Sequence, residues 1–169
     1  MRLQILQKKE IVMNYKIEDA PQEFLSLTQD ILQSTNFQKQ KAYIQHGTTT
    51  LYEHVSRVAL RCYYYAKAKN GYDLASLVRG ALLHDYFLYD WHIYDHKNGH
   101  ERLHGFKHPA IAVRNASKEF NLNKKEINII RSHMWPITLF HMPKSKEAWL
   151  VDYMDKVQSI YEMNHKNKN

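Results

Sequence analysis

Apolar positions recur at three- and four-residue spacing along most of the chain, and alternation of β-branched residues is scarce, so the pattern predicts an almost wholly helical protein. A first amphipathic helix is expected over about Pro21 to Gln33, with Phe24, Leu25, Leu27, Thr28, Ile31 and Leu32 on its apolar face. Thr50-Leu51-Tyr52-Glu53 has the form of a capping box, in which hydroxyl and carboxylate satisfy amides that the first turn leaves unpaired. The helix it opens runs through Val55, Val58, Ala59, Cys62 and Ala66 and stops at Asn70-Gly71.

Asp73 caps the next helix, whose stripe Leu74, Leu77, Val78, Ala81 and Leu82 leads to His84 and Asp85 at its carboxyl end. Tyr86 to Lys107 reads as a long connection, a lid or rim, broken by Asn98-Gly99 and Gly105. His108-Pro109 is expected to start a helix reaching about Phe120. Asn123 and Glu126 cap another, where Ile127, Ile129 and Ile130 lead to His133 and Pro136 ends it. A last helix, about Ser145 to Tyr161, carries Ala148, Val151 and Asp155 on one face. The domain reading is an N-terminal arm over 1–20, with Met13 a candidate natural start, one helical domain over 21–165, and a basic tail over 166–169.

Composition narrows the class. The length of 169 residues suits one domain with a core that needs no staples. A single cysteine, Cys62, excludes an internal disulfide framework and Cys-based zinc sites, and a reducing, cytoplasmic setting is the default expectation. No apolar run approaches the roughly 18 residues of a transmembrane helix, and Lys8, Lys9 and Glu10 stand where a signal peptide needs apolar residues, so no membrane partner is expected. The net charge of +7 and twelve tyrosines invite a nucleic-acid reading, but the basic residues are scattered, and consecutive Tyr63-Tyr64-Tyr65 face different ways on a helix. A small phosphorylated substrate, such as a nucleotide, also suits a positive field.

The inward-pointing ligand types, in order, are His54, His84, Asp85, His108, His133 and Asp155. Burying six such groups calls for partners, and imidazole with carboxylate suits Fe, Mn, Zn, Co or Ni. Asp152 competes with Asp155 from one turn earlier. His104 and His46 are candidates for supporting contacts, with a surface position the plainer expectation for both. The four-residue spacing of His92, His96, His100, His104 and His108 is read as chance, because Asn98, Gly99 and Gly105 interrupt any continuous helix.

This order of residues over about Thr48 to Tyr161 resembles the HD superfamily of metal-dependent phosphohydrolases, with its lone His, His-Asp doublet and distal Asp. Asp155-Lys156-Val157 is similar to the distal motif, and His108 and His133 look like the extra ligands of the two-metal branch. The resemblance implies an all-α bundle in which His54, His84, Asp85 and Asp155 hold one ion while Asp85 bridges to a second on His108 and His133. It implies two divalent ions, Fe or Mn before Zn, Co or Ni, with His84 and Asp85 at the centre of the chemistry. Phosphoester or phosphoanhydride hydrolysis is the implied activity. The alternatives are a di-iron oxygenase of the same type and a non-enzymatic, metal-stabilised regulatory or nucleic-acid-binding domain. Tyr86-Phe87 follows the doublet where many members have a nearby lysine, so Arg102, Lys107, Arg131 and Lys156 are the phosphate-binding candidates.

Overall fold

A computed structural model of the protein describes residues 14–91 and 104–164, with only the backbone described at 104. Five longer helices carry most of the architecture: α1 (Gln22–Gln33), α3 (Leu51–Lys69), α4 (Leu74–Leu83), α5 (His104–Glu119) and α7 (Lys146–Asn164). The short α2 (Thr35–Lys39) and α6 (Lys124–Ser132) are the other α-helices among the described residues. A two-stranded antiparallel hairpin, β1 (Ile44–His46) and β2 (Thr49–Thr50), leads into α3. It escaped the periodicity argument because two and three residues are too few to show alternation.

The central packing is that of α3 against α4 and α7, with α4 also lying on α1 and α6. The faces expected from spacing are the buried ones: Val55, Val58, Ala59, Cys62 and Ala66 on α3 meet Leu77, Val78, Ala81 and Leu82 on α4 in one core. Both sides of the Thr50–Glu53 capping box form, and so do both sides of the Asn123–Glu126 box that opens α6. Gly80 lets α4 approach α6 closely, since a Cβ there would lie 2.8 Å from Ile129 Cγ2. That approach brings together the two helix ends that carry His84 and His133.

Two boundaries differ from expectation in ways that matter for function. The helix through His108 begins at His104, with Pro109 inside it. Pro109 thus falls in the second turn, where its missing N–H leaves one upstream carbonyl without its intrahelical donor. Helix α7 continues to Asn164 and so includes Glu162. In the N-terminal segment, Tyr15 and Ile17 pack against the core. The candidate start at Met13, residues 92–103 of the long connection and the tail 166–169 lie outside the described residues.

Candidate metal centre

Helices α4 and α6 end alike. His84 and His133 occupy their C-cap positions, where the last carbonyls have no intrahelical donor. His84 Nδ1 lies 2.7 Å from the Ala81 carbonyl and His133 Nδ1 2.8 Å from the Ile130 carbonyl. A carbonyl only accepts, so each Nδ1 carries the proton and each Nε2 presents a lone pair to the interior.

Asp85 sits where those lone pairs converge. Its Oδ1 lies 3.1 Å from His108 Nε2 and 3.3 Å from His133 Nε2, and its Oδ2 lies 3.5 Å from His84 Nε2. Gln45 Nε2, from the hairpin, donates to Oδ2 at 2.8 Å and fixes the carboxylate plane. His108 and His133 approach to 2.7 Å between their Nε2 atoms. On the other side, Asp155 Oδ1 lies 3.0 Å from His54 Nε2 and 3.7 Å from His84 Nε2. His54 Nδ1 donates to Glu162 Oε2 at 2.8 Å, and Arg57 Nη1 holds the other oxygen of Glu162 at 3.1 Å. All six sequence-predicted ligands are buried and in one place.

A family model described as HD domain matches residues 51–160. The chain belongs to the HD-domain family. No curated protein and no solved structure matches it.

The residues of this HD domain fit a cation. Among the described residues, the buried His84 Nε2 and Asp85 Oδ1 have no hydrogen-bond partner. With its Nδ1 proton on Ile130, His133 turns a lone pair toward Asp85 Oδ1, so two acceptors face each other, which a positive ion between them would relieve. Two overlapping groups have ligand atoms all within 4.8 Å of one another: His54, His84 and Asp85, and Asp85, His108 and His133. Asp85 is common to both, as a bridging carboxylate would be.

The charges within the site are mutually held. Burial pushes the Asp85 carboxyl up, but His84, His108 and His133 outweigh it and hold Asp85 well below the usual carboxylate range. Asp155 is likewise pushed up by burial and held well below by His54 and His84. For His54, burial favours the neutral ring, yet Glu162 and Asp155 raise it well above the ordinary histidine value. His133 is lowered, chiefly by burial, which suits a neutral imidazole ligand.

A cavity of about 700 Å³ opens onto Asp85, His108, His133 and Asp155. Lys156, alone among the phosphate-binding candidates in the described residues, lines it. Its ammonium donates to Asp152 Oδ1 and to the His133 carbonyl. Asp152 thus contacts Lys156. Lys107 is exposed and Arg131 half-buried, and neither is among the cavity-lining residues. Arg131 instead stands near His141, whose pKa is lowered first by burial and then by that charge. Arg102 and the His104 side chain lie outside the described residues. His46 departs from its expected surface position: it lines the cavity, its ring 5.5 Å from that of His54. Its place on β1 is the reason, because that strand packs against α3 and leaves His46 half-buried. Gln45 and Glu162 are further residues of the centre that sequence reasoning missed. Glu162 follows Asp155 by two helical turns, but it lies one residue beyond the helix end that the sequence pattern predicts.

Proposed function

We propose that this HD-domain protein is a metal-dependent phosphohydrolase acting on a phosphoester or phosphoanhydride of a small phosphorylated metabolite. His54, His84, Asp85 and Asp155 would hold one divalent ion, and Asp85, His108 and His133 a second, with Fe and Mn preferred over Zn, Co and Ni. The observation that carries the reading is the buried pair of overlapping ligand groups sharing Asp85 beside an open cavity. When bound, such ions supply Lewis-acid charge for phosphoryl oxygens and lower the pKa of water.

The chain's own residues do the rest. Gln45 keeps Asp85 oriented through Oδ2, leaving Oδ1 toward His108 and His133. Glu162 fixes the His54 tautomer and Arg57 fixes Glu162. Lys156, held by Asp152, offers an ammonium to an anionic oxygen in the cavity.

Metal analysis of untagged protein beside Asp85→Ala, followed by phosphate release from a phosphoester panel, tests this. The expected outcome is about two equivalents of metal in the wild type, a sharp fall in the variant, and hydrolysis that follows metal content. Lack of metal after reconstitution with Mn or Fe would overturn it. So would oxygen uptake by the iron-loaded protein without any phosphoester turnover, which would place the chain among oxygenases.

A further inference from the structure

The walls of the cavity differ from its floor. The floor is the ligand cluster, but the rim is built from Trp91, Phe106, Met134, Ile137, Ile160 and Met163. These come from three helices' worth of separate chain: the start of α5, the turns after α6, and the last turns of α7, with Trp91 from the segment after Asp85. Phe106, Met134, Ile137, Ile160 and Met163 do not belong to the hydrophobic core. Phe106 and Ile160 are 57% and 55% exposed, so large apolar side chains stand half in water at the mouth of a metal-ligand cluster. Such an arrangement is typical of a ligand wall.

Two of the polar side chains lining the cavity, Gln45 and Ser159, are held by neighbours within the site. Gln45 donates an amide N–H to Asp85 Oδ2 and its carbonyl accepts from Trp91 Nε1 at 3.1 Å, so the side chain is turned to the ligand cluster and the cavity wall. The Ser159 hydroxyl donates to Asp155 Oδ1 at 3.2 Å. Among the described residues, Lys156 is the one Lys or Arg lining the cavity, although the whole chain carries a net charge of +7. A nucleoside polyphosphate brings several charges and a polar base, whereas the described residues of the lining set one cation against a mostly apolar rim.

Resting on the phosphohydrolase reading, we propose that the substrate is the monophosphate ester of an apolar alcohol or phenol, its phosphate toward Asp85 and Lys156 and its apolar group against Phe106, Ile137, Ile160 and Met163. The reaction is R–O–PO₃²⁻ + H₂O → R–OH + HPO₄²⁻. A water oxygen bonds to phosphorus, the P–O bond to the apolar group breaks, and a proton from water ends on the departing alkoxide.

The test uses Mn-reconstituted full-length protein with n-alkyl phosphates from ethyl to octyl, alongside adenosine mono- and triphosphate. Released phosphate is measured, and binding of the matching n-alkylphosphonates is followed by calorimetry, so that affinity is read without turnover. Full burial of a methylene corresponds to roughly fourfold, so kcat/KM and phosphonate affinity are expected to rise about two- to fourfold per methylene. Within the variant Ile160→Asp, the ratio of octyl to ethyl should collapse toward one, while Ile160→Leu should retain it. Because only ratios within one protein are compared, a general loss of folding cannot imitate the result. A flat chain-length series, or tighter binding of adenosine triphosphate than of octylphosphonate, would overturn the apolar class and leave the phosphohydrolase reading standing. Failure to hydrolyse any ester, with no phosphonate bound at any length, would overturn the phosphohydrolase reading itself.

Discussion

The imidazoles of His84 and His133 each use one nitrogen to close a helix and keep the other for the site, so a single residue type ends α4 and α6 and arms the centre. The ligand types were legible in the sequence because each lies near a helix end or on an apolar face. The residues that orient them were not, since Gln45 and Glu162 bear no periodic mark of their own and make sense only against Asp85 and His54. Glu162 is where this distinction can be measured. In Glu162→Gln an amide oxygen still accepts from His54 Nδ1, but the charge that raises ligand basicity and pairs with Arg57 is gone. Changes to such supporting partners weaken metal affinity by about 10–100-fold, and that loss is expected in a competition titration with a fluorescent chelator. Unchanged affinity would mean that Glu162 serves only the fold of α7.

Elements bring these residues together through close approach as much as through pattern. The stripes of α3, α4 and α7, and both capping boxes, followed from the sequence because they are repeated local signals. The β1–β2 hairpin did not, being too short for a period, and with it went the true position of His46. Gly80 is the position where local preference and packing oppose each other most clearly. In a helix interior, alanine exceeds glycine by about 0.5–1 kcal/mol, but here a Cβ would stand 2.8 Å from Ile129 Cγ2. Overpacking of this kind costs about 1–3 kcal/mol, so Gly80→Ala is expected to destabilise by about 1–2 kcal/mol net, read from denaturant unfolding. Because α4 and α6 carry His84 and His133, the same variant should retain less metal. Adding Ile129→Val should recover part of both losses, since neighbouring changes do not add. A rise in stability for Gly80→Ala alone would show that α6 shifts without strain. Removing the cap in Thr50→Ala should cost about 1 kcal/mol by the same measurement, with metal content unchanged.

At the scale of the whole molecule, an acid-sensitive set of contacts outside the ligand cluster joins the helices. Asp30 bonds Arg79 across α1 and α4, and Asp73, which caps α4, pairs with Lys125 at 3.0 Å. Glu147 accepts from the Asp73 backbone N–H at 2.9 Å and so ties the start of α7 to the start of α4. Burial pushes each of these carboxyls up, but Arg79 for Asp30, Lys125 and Ser76 for Asp73, and the Asp73 amide and Lys125 for Glu147 leave all three below their ordinary values. A carboxyl lowered on folding adds stability that is fully present above its unfolded pKa and is lost as pH falls through the folded one. The unfolded values lie near about 3.9 for Asp and 4.3 for Glu, so this contribution is intact at neutral pH and declines below about pH 4. Thermal unfolding across that range, in chelator so that metal release adds nothing, should show Tm falling steeply on the acid side. Asp73→Asn keeps a capping side chain but cannot ionise; its Tm should be lower than wild type at neutral pH, with the two curves converging as the medium becomes acid. Parallel curves would place the acid sensitivity in the buried cluster of Asp85 and Asp155 instead of in these helix-joining contacts.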